Sequence, residues 1–232
     1  PFVTHTPYVM EALSSFRDPR AVEMLDSTWK FLESLIVMTE SESELALSYA
    51  PVQEPRIVVN ANSYAAYAYA LHAARGHKQK KSLDRCRRLV NWILNKQNAD
   101  GLWWYYADDS SGNFIDCFHT CFVVKNLVKA SSLVPEFQAI ARPAIDRGWD
   151  AIRSNFLDRQ TGLCKRFAVR DFKDPYVWDL YDQAEYLGLL IDFGRFDDAA
   201  EFLQTVCGAF VRNGVVHARI DMFGRRWGAN FF

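Results

Sequence analysis

Four apolar stretches of this chain open alike, and their spacing restricts it to a few helical architectures. Aligned on their leucines, they read THTPYVMEAL from Thr4, NSYAAYAYAL from Asn62, FHTCFVVKNL from Phe118 and YDQAEYLGLL from Tyr181. His5, Ser63, His119 and Asp182 then share one register position, eight residues before Leu13, Leu71, Leu127 and Leu190, at steps of 58, 56 and 63 residues. A step of that length holds two helices and two connections, so the chain reads as stacked helical hairpins.

Within each pair the two helices differ in character. Ala61 to Arg75 has almost no charge, Cys117 to Val134 and Leu180 to Phe193 are mostly apolar, and Val3 to Phe16 mixes small polar and apolar residues, as expected of helices buried on most sides. Their successors, Arg20 to Thr39, Lys80 to Gln97, Glu136 to Phe156 and Asp197 to Arg212, are amphipathic; Val22, Leu25, Trp29, Leu32 and Leu35 mark the apolar stripe of the first. Alternation of a buried helix with a half-solvated one predicts two concentric rings. The connections NADGLWWYYAD, RQTGLCKRFAV and RNGVVHARID each set a glycine before β-prone residues, and SELALSYAP is a version without glycine.

An open solenoid is the alternative, but its repeats run roughly 33 to 47 residues. The longer period and the apolar alternate helices favour an all-α, α/α toroid with short β-like turns, a single domain over 1–232. The segment Asp221 to Phe232 reads as one more inner helix, giving about four and a half hairpins of six. On that count roughly 100 residues are missing, and the sequence is expected to be a fragment of a longer chain.

Composition narrows the function. The chain has 232 residues, 50% hydrophobic and 15% aromatic, enough for one sizeable core. Its net charge is −1, with basic clusters only at Lys78 to Lys81 and Arg85 to Arg88, unlike the basic face of a nucleic-acid binder. No apolar run approaches the roughly 20 residues of a membrane span. The five cysteines are odd in number and lack framework spacing, which predicts reduced thiols in a cytoplasmic setting.

Two resemblances follow from particular strings. Trp92 to Trp103, WILNKQNADGLW, resembles the QW motif of squalene and oxidosqualene cyclases, whose Gln and Trp tie an outer helix to the next turn. It occurs once, and the Asp-rich acid motif of those cyclases is missing; Asp108-Asp109 alone does not replace it. The resemblance therefore implies a toroid, and a terpenoid cyclase is the weakest functional reading. More broadly, NADGLWWYY, GNFIDCFHTCFVVKNL, VVNANSYAAYAYAL, WDLYDQAEYLGLL and RRWGANFF resemble bacterial polysaccharide-biosynthesis proteins with six-hairpin toroids. Those are similar in architecture to glucuronyl C5-epimerases, polysaccharide lyases and unsaturated glucuronyl hydrolases.

In a toroid the N-terminal ends of the inner helices line one mouth of the ring, where helix dipoles favour anionic groups. His5, His119 and Asp182 are expected there, with Asn62, Thr6, Thr120 and Gln183 beside them. Trp103, Trp104, Tyr105 and Tyr106 precede the third inner helix and offer faces to sugar rings. The candidate catalytic residues are His119, Asp182, Tyr106 and Asp116, with Asp179 and Tyr181 also able to move protons. The candidate binding residues are His5, Asn62, Trp103, Trp104, Tyr105, Thr120, Tyr181, Gln183, Arg56 and Arg226.

An epimerase or lyase needs a base, an opposing acid and a cation; His119, a tyrosine and Arg56 or Arg226 would suffice. A hydrolase would need two carboxylates, which Asp116 and Asp182 could supply. Caps, a Trp103 plug, packed histidines and ion pairs from Asp179 or Asp182 to Arg225 or Arg226 are the structural alternatives.

No metal or other cofactor is expected. Cys117 and Cys121 share a helix face, but His119 lies about 200° round the helix from Cys117, so the three cannot grip one ion as in lanthionine cyclases and prenyltransferases. The favoured function is action on, or binding of, a uronic-acid-type polysaccharide or oligosaccharide during polysaccharide synthesis. The rival is a non-catalytic scaffold that docks other proteins of that machinery.

Overall fold

A computed structural model describes residues 2–228. Its main elements are four helical hairpins: α1 (Thr6–Ser14) with α2 (Pro19–Ser34), α3 (Val59–Ala74) with α4 (Gln79–Asn95), α5 (Cys117–Leu133) with α6 (Gln138–Asn155), and α7 (Leu180–Asp192) with α8 (Phe196–Phe210). A 3₁₀ turn, Val3–His5, leads into α1. The inner helices pack on one another in chain order, α1 on α3, α3 on α5 and α5 on α7, and each also packs on its own outer partner. This is an α/α toroid arrangement.

The difference between inner and outer helices follows from composition. All of α3 is buried except Leu71 and Ala74, because its small alanines let neighbours approach on every side while its tyrosines fill the gaps. By contrast, α4 buries Cys86, Leu89, Val90, Trp92 and Ile93 on one stripe and turns Lys80, Lys81 and Arg87 to water. A single apolar core runs from Val3 to Ile220.

Short strands cross between hairpins: β1 (Val37–Glu40) pairs with β2 (Leu45–Leu47), and β3 (Ile115–Asp116) with β4 (Phe167–Val169). Further on, β5 (Tyr176–Asp179) pairs with β8 (Arg219–Asp221), β6 (Val211–Arg212) with β7 (Val215–Val216), and β8 with β9 (Arg226–Trp227).

Two expectations are corrected here. The outer helix expected over Arg20 to Thr39 stops at Ser34: the β-branched Ile36, Val37 and Thr39 favour extended backbone, Ser48 N–H bonds the Ile36 carbonyl, and Val37–Glu40 joins a sheet. The segment from Asp221 is not an inner helix among the described residues. Asp221 Oδ1 accepts from the Phe223 and Arg225 amides, and Gly224 takes φ +74°, so the chain turns back as the β8–β9 hairpin. The rest of that expected helix, 229–232, lies outside the described residues.

Candidate functional site

The inner helices begin in a common way, and that sets the true register. Val3, Val59, Cys117 and Leu180 each donate an N–H to a carbonyl of the following turn: Tyr49 at 3.0 Å, Tyr105 at 2.9 Å, Arg166 at 2.9 Å and Ala218 at 2.8 Å. Counting from these residues, His5, Ala61, His119 and Asp182 are equivalent, and so are Thr6, Asn62, Thr120 and Gln183. Ser63 is thus displaced by two residues from the position the leucine alignment assigned to it. Its hydroxyl instead meets the Asn126 amide at 2.9 Å on the inner face of the ring.

The second set holds the turns onto the helices. Asn62 accepts from Leu47 N at 2.7 Å and donates to the Leu47 and Val58 carbonyls. Gln183 does the same to Cys164 and Asp179, and Thr120 donates to the Asp116 carbonyl at 2.8 Å. Both amides and the Thr120 hydroxyl are buried and spent on backbone, which leaves them no polar atom for a ligand.

The first set holds the titratable side chains His5, His119 and Asp182. Asp116 ends β3 and caps α5, accepting from the His119 amide at 3.2 Å. The same carboxylate reaches His119 Nδ1 at 2.9 and 2.8 Å. A carboxylate accepts only, so Nδ1 carries a proton, and in the neutral imidazole the lone pair is then on Nε2. The imidazole is packed by Phe118 at 3.9 Å between centroids, Tyr105 at 4.5 Å, Phe122 at 5.9 Å and Phe114 at 6.1 Å, while its side chain stays 19% exposed.

Asp182 is fully buried. Its Oδ1 accepts from Phe118 N at 3.0 Å, and Oδ2 has no partner among the described residues. Burial, then the charges of Asp116 and Asp179, push its pKa well above the usual carboxylate range, against the smaller opposing pull of Arg166 and the Phe118 amide. That environment favours the protonated acid, and Asp182 anchors α7 to the start of α5 through the Phe118 amide. Tyr181, next to it, is half exposed with its phenol pushed up to about 12, chiefly by burial.

The remaining candidates spread around the rim. Arg56 forms a fork with Asp108 at 2.9 and 2.7 Å and lies 3.7 Å over the Tyr106 ring, holding the Asp108 carboxyl far below its ordinary range. Tyr106 meets Tyr105 edge-on at 4.6 Å, so Arg56, Tyr106, Tyr105 and His119 form one continuous chain of rings and charge. Trp104 is half buried beside Asn113, and His5 is exposed against the edge of Phe2.

Trp103 is elsewhere: its indole N–H bonds Ile93 O at 2.9 Å, and Gln97 bridges the Gly101 and Ala144 carbonyls, joining α4 to its turn and to α6. Arg226 donates to Ala209 O at the end of α8. Cys117 and Cys121 lie 4.0 Å apart, buried, with both thiols pushed far up by burial. Among the described residues no cluster of three histidine, cysteine or acidic side chains is placed to hold a metal ion.

Sequence reasoning passed over a polar cluster that joins α1, α3, α5 and α7. Lys125 Nζ lies 2.6 Å from Glu185 Oε2 and 3.1 Å from Tyr8 Oη, and Tyr8 Oη lies 2.9 Å from Tyr64 Oη. Deeper along α5, Lys129 and Tyr67 both reach Glu11, at 2.7 and 2.5 Å. Burial works against the Lys125 charge, but Glu185 outweighs it and the net shift is upward. The signal was available: Glu11, Lys125, Lys129 and Glu185 are isolated charges in otherwise apolar helices.

No family model matches the chain, and comparison with curated proteins gives no match. Solved structures do resemble it. Cellobiose 2-epimerase from Bacillus thermoamylovorans superposes with a TM-score of 0.73 at 13% identity, over 97% of this chain and 65% of that one. A GH76 alpha-mannanase from Bacteroides thetaiotaomicron gives 0.61 at 12%, over 93% and 62%. An unsaturated glucuronyl hydrolase from a Bacillus species gives 0.60 at 14%, over 82% and 58%. At these identities the likeness establishes the α/α toroid fold, and the chain spans less than two thirds of each of these proteins.

Proposed function

We propose that the protein is a carbohydrate-active enzyme acting on a uronic-acid-type oligosaccharide or polysaccharide, with His119 as the base that removes the proton beside the sugar carboxylate. The observation that carries this is the Asp116–His119 pair: a buried carboxylate fixes Nδ1 and leaves Nε2 to accept a proton, in an aromatic-lined mouth. Proton removal leaves an electron pair delocalised into the carboxylate as an enolate. Returning a proton to the opposite face gives epimerisation; expelling the neighbouring glycosidic oxygen gives elimination.

Tyr181 suits the opposing acid, since its phenol stays protonated at neutral pH. Phe118 stands between it and His119, with ring centroids 5.1 and 3.9 Å away. The named activities of the similar structures, an epimerase, a mannanase and a glucuronyl hydrolase, support the carbohydrate class. Bacterial polysaccharide synthesis in the cytoplasm, alongside other proteins of that pathway, is the setting we assign from the resemblance of the sequence strings. No helix among the described residues is long and apolar enough to cross a membrane.

The test is incubation with uronic-acid polymers in D₂O. Deuterium at C5 marks an epimerase, and the ultraviolet absorbance of an unsaturated uronate marks a lyase. Neither signal from the wild-type protein, with substrate binding intact in His119→Ala, would favour the scaffold reading.

A further inference from the structure

Next to the mouth, between β4 and β5, lies a hollow of about 190 Å³ lined by Lys165, Arg166, Phe167, Arg170, Tyr176 and Val177. Three of its six lining residues are cations. Lys165 and Arg170 are exposed and form no ion pair among the described residues. Arg166 is only 18% exposed; its Nη1 stands 3.4 Å from both Asp174 Oδ2 and Asp179 Oδ2, and its buried Nε has no partner among the described residues.

Arg166 Nη1 is thus shared between two carboxylates, of which Asp174 also accepts from Tyr176 N through Oδ1, and Asp179 from Tyr181 N and from Arg219 Nε at 3.0 Å. The Arg166 guanidinium therefore has charge neighbours but no hydrogen-bonded fork, unlike Arg56 with its bidentate Asp108. The charges left to draw a carboxylate from outside are those of Lys165 and Arg170, exposed and without an ion pair among the described residues, with the Arg166 guanidinium beside them.

The walls suit a sugar. Arg166 and Arg170 both lie over the Phe167 ring, at 5.2 and 5.0 Å, which presents the two charges beside an apolar platform. That ring is also the link to His119: His119 to Phe114 is 6.1 Å and Phe114 to Phe167 is 5.9 Å between centroids, so Phe167 lies within about 12 Å of the imidazole. The separation is of the order of a disaccharide.

We propose that this hollow is an anion subsite that takes the carboxylate of an acidic sugar flanking the unit held at His119. Lys165 and Arg170 receive the carboxylate, Arg166 adds its guanidinium from the wall, and Phe167 with Tyr176 borders the ring. This rests on the carbohydrate reading above and extends it: the site selects acidic chains at a unit that does not react.

The test is binding, not turnover. Titrate the protein with an oligoglucuronate and with its carboxyl-reduced, neutral counterpart of equal length, at low and high salt, using the wild type, Lys165→Gln/Arg170→Gln, Arg166→Lys and His119→Ala. The expected result is about tenfold tighter binding of the acidic chain by the wild type, weakening with salt. The double variant should lose most of that preference with little change toward the neutral chain, and Arg166→Lys should lose part of it by giving up the fork.

Equal affinity for the two chains, no binding of either, or a preference untouched in the double variant overturns the proposal. A sugar phosphate that competes as well as the uronate overturns the carboxylate assignment. Preference retained in His119→Ala, with no proton exchange in the wild type, supports the subsite and removes the catalytic reading; exchange without preference does the reverse.

Discussion

Asp116 Oδ2 lies 2.8 Å from His119 Nδ1, while Oδ1 of the same carboxylate accepts from the His119 backbone amide. One side chain thus caps α5 and fixes the tautomer of the imidazole in its first turn. The two roles separate by substitution. Asparagine preserves a helix cap but cannot hold Nδ1–H as a carboxylate does. We expect Asp116→Asn to melt within a few degrees of the wild type yet to lower C5 exchange about a hundredfold or more, with His119→Ala lower still. Exchange rates read alongside melting curves check this; full activity in either variant removes His119 as the base.

Asp182 gives the opposite pattern. Its folded pKa is raised, so the folded state holds the proton more tightly than the unfolded chain, and stability declines as pH rises above the ordinary carboxylate value. Asparagine keeps the acceptor for Phe118 N and removes that pH cost. The advantage of Asp182→Asn over the wild type should grow between about pH 4 and about pH 7 in denaturant titrations. Asp182→Ala should be less stable than both throughout, since it leaves the Phe118 amide unpaired. A constant gap between wild type and Asn variant would show that Asp182 is ionised when folded.

At the far end of α3, His72 is fully buried, with Nε2 3.0 Å from Thr28 Oγ1 and Nδ1 without a partner among the described residues. Burial, then the neighbouring His77, lowers its pKa to about 4, with Asp26 opposing. Between the ordinary value of 6.5 and about 4 the unfolded state binds the proton that the folded state refuses. Stability is then complete above that window and falls as pH drops through it, by up to about 1 kcal/mol per pH unit. His72→Gln should flatten this slope in urea titrations at a series of pH values; an unchanged slope would mean that His72 does not govern it.

The turn after α4 permits a sharper contrast. Gly101 has φ +85°, and a Cβ there would stand 2.7 Å from the Arg147 carbonyl oxygen, a backbone atom that cannot swing aside. Gly112 has φ +78° with nothing within 4 Å of its Cβ position. Gly112→Ala should therefore cost only the conformational strain, about 1 to 2 kcal/mol, and Gly101→Ala that strain plus the clash, about 2 kcal/mol or more beyond it. Equal losses in thermal unfolding would contradict the packing of this turn against α6.

The hairpins and their inner or outer character could be read from the sequence because both depend on local composition: the alanines and tyrosines of α3 and the charged face of α4 state their environments directly. His119 and Asp182 could be placed in the first turns of their helices because helix starts repeat. The Ser63 misalignment shows the limit, since leucines recur along a helix and several offsets look alike; the backbone bond from Val59 to Tyr105 fixes the offset, and no side chain announces it. The β8–β9 hairpin was hidden because MFGRRW contains apolar and basic residues compatible with a helix, while the Asp221 and Gly224 turn that decides it depends on pairing with β5. Lys125 and Glu185, sixty residues apart, face each other only once α7 packs on α5.

That pair supports a last expectation. Lys125 and Glu185 are nearly buried, with side chains 11% and 14% exposed and Nζ–Oε2 at 2.6 Å, and together they join α5 to α7 while Tyr8 brings in α1. Removing one partner leaves a charge with little water to solvate it, so Lys125→Met or Glu185→Gln alone should cost about 3 kcal/mol or more. Replacing both by apolar residues of similar size removes the desolvation cost with the attraction, and Lys125→Met/Glu185→Leu should be far less destabilised than the two losses combined. The double-mutant cycle in denaturant measures the coupling. Additive losses would mean that water reaches both groups. A large coupling would mean that both charges are shut off from water where α1, α5 and α7 meet.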